Sequence, residues 1–220
     1  MKNKCGFIYI CKLSEKYTCM SIFKKWFGAS EEETNQENQS EFMEQSKSNL
    51  PLDEQFTFNF KKNGGKFIYC ENITELKEQF ENILVENDWF ESEVLCFEPK
   101  LFNLLEENKL EYKNIENPVC FLSTCENLIA DEGSVLFSSN QIKQFKPGEL
   151  PASIIVYATT DQILETKGDS LRVIKRKYDN TKDYPTNITA IKYFEKGNDD
   201  DFLTYGSCVK NLYLLLLEDY

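Results

Sequence analysis

The sequence of 220 residues contains no histidine, and this absence excludes several kinds of site. Serine–histidine–aspartate and cysteine–histidine catalysis, zinc sites built on imidazole and pH sensing by histidine are all excluded. Any acid–base chemistry must therefore come from carboxylates, lysine, tyrosine or cysteine. Basic residues are also few, with 25 Lys+Arg against 37 Asp+Glu and a formal net charge of −12. Because nucleic-acid-binding proteins normally carry a basic surplus, no nucleic-acid partner is expected.

Motifs that bind metals and nucleotides are missing as well. The eight cysteines form no CxxC or CxxCxxC run, so zinc-ribbon, thioredoxin and iron–sulfur motifs are absent. Cys70, Cys96 and Cys120 each lie in or beside an apolar run, which predicts reduced core thiols, as in a reducing cytosol. Gly64-Gly65 lacks the spacing of dinucleotide-binding and P-loop motifs. We therefore expect no metal ion and no cofactor.

The first 50 residues are interpreted as segments appended to a domain. The apolar stretch at residues 5–11 is too short for a membrane span and has no cleavage site after it. Met20 is typical of a protein start, so residues 1–19 are interpreted as an upstream extension. Residues 20–50 combine a short amphipathic segment with an acidic linker that is expected to be disordered. We expect a cytoplasmic protein without stable membrane insertion.

From about residue 51 the hydrophobic pattern alternates between strand and helix periods. Strands are predicted at 66–70, 93–97, 119–122, 154–158, 189–194 and 212–217, and helices at 72–87, from Pro99 and at 160–178. Residues 52–62 fit either element, because their phenylalanines alternate while Asn63-Gly64-Gly65 is a typical helix end. The alternation predicts an α/β domain over residues 51–220, with a mostly parallel sheet and helices on both faces.

The stretch from Thr124 to Ser139 carries the strongest chemical signal. Two carboxylates, Asp131 and Glu132, lie in a tight turn between apolar segments, and Gly133 permits a positive φ there. Turns at strand ends of α/β sheets are where ligands bind. A β-hairpin whose acids face water is the structural alternative.

Residues 118–219 resemble the LUD domain, the family of the lactate-utilisation C protein. Ala130-Asp131-Glu132-Gly133-Ser134 and the apolar residues after it match the family's A-[DE]-x-G-[ST] turn and strand, and Leu150-Pro151 matches its Leu-Pro before a strand. Pro185-Thr186-Asn187-Ile188-Thr189 and Tyr205-Gly206-Ser207 lie where the family has Gly-Pro-Ser-x-Thr-Ala-Asp and Gly-x-His-Gly-Pro. The Gly-Pro-Ser, the Asp, the His and the last Pro are not kept, which indicates a divergent member.

The resemblance implies a fold related to the NagB/RpiA/CoA-transferase group and a part in lactate or organic-acid utilisation. It also implies partner subunits that carry the iron–sulfur clusters of a lactate-oxidising complex. We interpret the chain as an accessory or small-anion-binding component without a redox cofactor of its own. One alternative is a non-catalytic interaction or scaffold protein. Another is an acyl- or CoA-transferase-like enzyme with Asp131 or Glu132 as its catalytic carboxylate.

The predicted pocket for a small carboxylate or phosphate is built from hydroxyls, backbone N–H groups and one lysine, which suit an anionic ligand. Its residues are Asp131, Glu132, Gly133, Ser134, Thr159, Thr160, Thr186, Asn187, Thr189, Tyr205, Gly206, Ser207 and Lys210.

Overall fold

A computed structural model describes residues 50–179, 181–192 and 210–219, which form nine strands and five α-helices. The strands are β1 (Lys66–Cys70), β2 (Val94–Cys96), β3 (Cys120–Thr124), β4 (Asn127–Ile129), β5 (Ser134–Ser138), β6 (Ser153–Thr159), β7 (Ile163–Leu164), β8 (Ile188–Ile191) and β9 (Asn211–Leu217). The helices are α1 (Leu52–Lys62), α2 (Ile73–Asn87), α3 (Phe102–Glu107), α4 (Ser139–Ile142) and α5 (Lys167–Tyr178). The predictions for residues 1–49, and those for Tyr205, Gly206 and Ser207, lie outside the described residues.

The larger sheet has five strands in the order β1-β9-β6-β3-β2, and every neighbouring pair is parallel. Parallel pairing places the carboxyl ends of all five strands along one edge, which we call the carboxyl edge. Strands β6 and β9 are largely apolar and all five residues of β3 are buried, as expected for a sheet that is covered on both faces. The predicted α/β fold with a parallel sheet is therefore confirmed.

Two hydrophobic clusters cover the faces of this sheet. On one face α2 and α3 pack against alternate strand residues, among them Cys120, Leu122 and Ile155. On the other face Phe56 and Phe60 of α1 pack against Phe121 and Ile154, together with residues of a second sheet. Helices thus lie on both faces, and the predicted core thiols Cys70, Cys96 and Cys120 are buried and free.

The second sheet has four strands in the order β7-β4-β5-β8. The hairpin alternative for the acidic turn corresponds to β4 and β5, and the strand predicted at 189–194 corresponds to β8, whereas β7 and the assembly of a separate sheet were not predicted. Strands β4 and β5 form an antiparallel hairpin in which Ile129 pairs with Ser134. The helix predicted over 160–178 is shorter, because Ile163 and Leu164 pair with β4 and Thr166 caps a helix that begins at Lys167. The sequence pattern did not predict β7, because two paired residues are too few to show the period of a strand.

Residues 52–62, for which the sequence pattern fitted either a strand or a helix, form the helix α1. Phe56 and Phe60 are four residues apart, so both reach the same face of α1, where their rings stack at a centroid distance of 5.3 Å. The helix ends at Asn63, and Gly64 takes a φ of 85°, so the Asn-Gly-Gly signal outweighs the strand-like alternation. Within the described residues no helix is long and apolar enough to cross a membrane.

Candidate ligand-binding cleft

A polar cleft of about 430 Å³ opens at the carboxyl edge of the larger sheet. Thr124 ends β3, Cys125 follows it, and Gln162 lies in the 3₁₀ turn after β6. The other lining residues come from the segment after β2, from α4 and the turn after it, and from α5 and the loop after it. They are Glu98 and Lys100, then Asn140, Gln141 and Lys143, and finally Lys177, Tyr178 and Asp183. Ligands of parallel α/β sheets bind outside the carboxyl ends of the strands, so the position is that of a ligand site.

One buried carboxylate organises the wall of the cleft. The Glu126 side chain is 0 % exposed and comes immediately after the lining residue Cys125. Its Oε1 accepts hydrogen bonds from Ser138 Oγ at 2.7 Å, Gln141 Nε2 at 2.9 Å and Tyr178 Oη at 2.8 Å. Its Oε2 accepts a hydrogen bond from Lys177 Nζ at 2.8 Å. These bonds connect β5, α4 and α5 to the end of β3.

The electrostatics of this network keep Glu126 ionised. Burial raises the pKa of its carboxyl, but the hydrogen bonds that it accepts, above all the one from Lys177, outweigh burial and hold the pKa below its usual value. Burial likewise lowers the pKa of the Lys177 ammonium, while the bond to Glu126 more than compensates and raises it. A carboxylate that accepts from four donors and has a lowered pKa is a positioning group, since it is ionised and holds no proton to transfer.

Cys125 is not prepared for nucleophilic chemistry. Its side chain is buried at 3 % exposure, and Gln162 donates hydrogen bonds to its backbone oxygen and, at 3.9 Å, to its sulfur. Burial and the negative charge of Glu126 raise the pKa of the Cys125 thiol. The thiolate that nucleophilic attack requires is therefore disfavoured at neutral pH.

The cleft carries two ammonium groups that have no ion pair within the described residues. Lys100 and Lys143 both line it, and neither takes part in a salt bridge there, whereas Lys177 is paired with Glu126. The lining acids are Glu98 and Asp183, and since Glu126 balances the charge of Lys177, two lysines remain beside these two carboxylates. The ammonium groups of Lys100 and Lys143 can donate charge-assisted hydrogen bonds to a small anion.

The structure brings some of the predicted site residues to the border of the cleft. Thr159 caps the 3₁₀ turn that carries Gln162, and Thr160 Oγ1 accepts a hydrogen bond from the backbone N–H of Asp219. Thr186 and Asn187 contact Ser139, the first residue of α4, through a backbone N–H and a backbone carbonyl, respectively. Thr189 pairs with Phe137 near the end of β5.

Other predicted residues lie elsewhere. Lys210 directly precedes β9, at the opposite edge of the sheet, where its ammonium donates to the Leu150 carbonyl at 2.6 Å. The turn of Asp131, Glu132 and Gly133 precedes β5, and four residues of strand, about 13 Å, separate Ser134 from Ser138 at the cleft. The predicted set therefore does not come together in one pocket among the described residues.

The acidic turn has a clear structural role. It is a β-hairpin turn with Asp131 exposed, and Asn59 and Asn63 of α1 donate hydrogen bonds to its backbone carbonyls. A Cβ at Gly133 would lie 2.3 Å from backbone atoms of Asn59, and its φ is 61°. Glycine is therefore required because the hairpin packs directly against α1. The Lys167 ammonium forms an ion pair with the Glu132 carboxylate at 2.7 Å. Burial, and to a smaller extent the negative charge of Glu132, raises the pKa of the Asp131 carboxyl.

Two sequence signals could have located the cleft. Polar residues lie at or just beyond the ends of the apolar strands β2 and β3, as Glu98 and as Thr124 and Glu126, which is the pattern of a carboxyl edge. Ser138 and Gln141 have the spacing of a capping box, and both partners then bond to Glu126. Lys100 lies in the 3₁₀ helix Pro99–Leu101, and Lys143 and Asp183 lie in loops. None of the three belongs to a motif, so only the three-dimensional structure brings them together.

The described fold is shared with a solved protein structure. A DUF162 family protein from Deinococcus radiodurans, solved at 1.70 Å resolution, superposes with a TM-score of 0.53 and 13% sequence identity, over 77% of this chain and 99% of that chain. No family model and no curated protein match the sequence. At this identity the likeness shows the fold alone. The chain therefore has the α/β fold of this DUF162 family protein.

Proposed function

We propose that the protein is a divergent LUD-domain protein whose cleft at the carboxyl edge binds a small carboxylate or phosphate. DUF162 and LUD denote the same family, so the fold likeness agrees with the resemblance seen in residues 118–219. The observation that carries the proposal is the pair of ammonium groups, Lys100 and Lys143, without ion pairs within the described residues at a polar cleft. An anion is the ligand that such a lining binds most favourably.

In this proposal the chain serves organic-acid metabolism as an accessory component, and partner subunits supply the redox chemistry. Glu126 is a positioning residue that fixes Lys177 and α4 around the ligand. The transferase alternative is less well supported, because Asp131 and Glu132 belong to the hairpin turn that packs on α1. A pull-down with iron–sulfur proteins from an organic-acid oxidation complex tests the partner part separately.

Isothermal titration calorimetry tests the anion site. Lactate, pyruvate, inorganic phosphate and sugar phosphates are titrated into the full chain at low and at high salt. We expect at least one anion to bind, with affinity that falls as salt screens the lysines. Lys100→Met and Lys143→Met should each weaken binding about 5-fold to 20-fold, since each removes a charged hydrogen-bond donor.

Lys175→Met is the matched control, because it removes the same charge from an exposed part of α5 that does not line the cleft. Its affinity should stay within about 2-fold of that of the unmodified chain, as expected for a solvent-exposed charge. An equal loss in all three variants would mean that only the overall charge matters. No binding by any anion would contradict the proposal.

A further inference from the structure

Two stacked phenylalanines lie beside the cleft. Phe97 follows β2 and precedes the lining residue Glu98, and its ring stacks on that of Phe145 with a centroid distance of 5.8 Å and an interplanar angle of 24°. Phe97 also contacts the fully buried Phe121 at 6.1 Å, which anchors the pair in the core. Phe145 is 38% exposed, and Phe97 stacks on one face of its ring, so the opposite face is the one available for stacking by a ligand.

A lysine connects these rings to the polar cleft. Lys143 lines the cleft, and its ammonium lies 5.9 Å from the centroid of the Phe97 ring. The same ammonium donates a hydrogen bond to the Asn140 carbonyl at 2.7 Å, which limits the positions that it can take. The flat apolar surface and the anion-binding groups are therefore neighbours.

The backbone that carries Lys143 is strained. Its φ of 54° and ψ of −122° belong to a tight turn, closed by the hydrogen bond from Phe145 N–H to the Ile142 carbonyl at 3.1 Å. The first central position of such a turn strongly favours glycine. A lysine held in this conformation costs stability, and strain of this kind is concentrated at ligand sites. The turn presents the Lys143 ammonium and the Phe145 ring together.

We infer that the ligand of the cleft is an organic phosphate that carries a flat ring, a nucleoside monophosphate being the simplest example. This inference rests on the proposed anion site and specifies its ligand. The ring stacks on the exposed face of Phe145, and the phosphate binds the ammonium groups of Lys143 and Lys100. Lysine binds phosphate as a point charge and needs no glycine-rich loop for this contact, so the missing P-loop is no obstacle. Stacking on an aromatic side chain tolerates any base, because every base has a π-face.

The test compares adenosine monophosphate, ribose 5-phosphate, adenosine and inorganic phosphate by calorimetry on the full chain. Adenosine monophosphate should bind about 5-fold to 150-fold more tightly than ribose 5-phosphate, which is the range for loss of one base stack. Phe145→Ala should abolish this advantage and leave the affinity for ribose 5-phosphate within about 2-fold, since the phosphate contacts are untouched.

Further variants separate stacking from folding. Phe145→Leu keeps an apolar cover over Phe97 but has no ring, so it should lose the preference as the alanine variant does, whereas Phe145→Tyr should retain it. Phe90→Ala is the control, because Phe90 is 53% exposed and does not line the cleft. Its preference should not change.

The outcomes distinguish this inference from the proposal beneath it. Equal affinity for adenosine monophosphate and ribose 5-phosphate overturns the flat-ring ligand and leaves the anion site intact. A preference that survives in Phe145→Ala and Phe145→Leu also overturns the inference, because the ring then binds elsewhere. If neither these phosphates nor the carboxylates bind, the proposed function fails as well.

Discussion

Replacing Glu126 by glutamine should destabilise the fold, because the charge of this carboxylate strengthens several hydrogen bonds at once. Glutamine is nearly isosteric, and its carbonyl can still accept from Ser138, Gln141 and Tyr178 in place of Oε1. Its NH₂ group then faces the ammonium of Lys177, which can turn to water because its side chain is 53% exposed.

The expected loss is about 2 kcal/mol in the free energy of unfolding. Bonds to charged groups contribute about 1.5–3 kcal/mol each and neutral ones about 0.5–1.5, so three weakened bonds account for about 3 kcal/mol. The half-exposed pair with Lys177 adds at most about 1 kcal/mol. Glutamine also avoids the cost of burying a charge, which offsets part of this sum. For a domain of this size the melting temperature should fall by about 4–8 °C.

The loss should also depend on pH, with a sign that follows from the lowered pKa of Glu126. A carboxylate whose pKa is lower in the folded state stabilises the fold above its unfolded pKa, about 4.3. That stabilisation disappears as the pH falls through the folded pKa. The difference between the unmodified chain and Glu126→Gln should therefore be full at pH 7 and shrink below about pH 4.3.

Urea denaturation at several pH values measures this difference. Glu86→Gln is the control, since it removes the same charge from an exposed pair with Lys66 and should cost at most about 1 kcal/mol. The reasoning is refuted if both variants lose equal stability at pH 7, or if the loss in Glu126→Gln does not shrink in acid.

Three further predictions concern a glycine, a helix cap and the thiols. Gly133→Ala should lower the free energy of unfolding by about 2–4 kcal/mol, because its Cβ would overlap the α1 backbone. Gly168→Ala is the control: its Cβ would lie 3.6 Å from the nearest atom, so the variant should be about 0.5–1 kcal/mol more stable. If urea denaturation gave the same stability change for both variants, the close packing of Gly133 would be contradicted. Asn72→Ala should cost about 1 kcal/mol by thermal denaturation, and Asn72→Asp much less, since Asn72 accepts a hydrogen bond from the backbone N–H of Glu75. Burial raises the pKa of four thiols, so iodoacetamide at pH 8 should modify them only after the protein is unfolded. Modified peptides from the native protein, detected by mass spectrometry, would contradict this prediction. The four thiols are those of Cys70, Cys96, Cys120 and Cys125.

The parallel sheet was predictable because its strands are unambiguous in the sequence. Residues 154–158 and 212–217 are continuous apolar runs, and both form central strands. The cap at Asn72 was equally clear, and the helix begins directly after it. Strand β7, and with it the assembly of the second sheet, was not predictable, because β7 has two residues and its partner β4 has three. Strands that short acquire their hydrogen bonds from tertiary pairing and leave no period in the sequence.

The candidate site was predicted at the border of the cleft but not at its centre. Thr159 and Thr160 were expected at a strand end, and Thr159 contacts the lining residue Gln162. Thr186, predicted from the family resemblance, contacts Ser139, which precedes the lining residue Asn140. Asp131 and Glu132 of the turn were predicted as site residues because two carboxylates beside a glycine can form a ligand-binding or catalytic turn. Lys100, in the 3₁₀ helix after β2, and Lys143, in the turn after α4, belong to no sequence motif, and only the folded structure places both at one cleft.

The motif that carries the family resemblance and the groups that can bind a ligand are therefore different parts of this molecule. Gly133 and the backbone of Asp131 serve the packing of the hairpin on α1, which every chain with this arrangement needs whatever it binds. A motif of this kind indicates a fold, but the substrate of one protein cannot be inferred for another from it. Ligand chemistry depends instead on the side chains that follow β2 and β3 and on the turn that carries Lys143. A relative that keeps the hairpin but replaces Lys100, Lys143 and Phe145 should retain the fold and bind a different ligand, so the cleft residues are the ones on which a functional comparison between such proteins should rest.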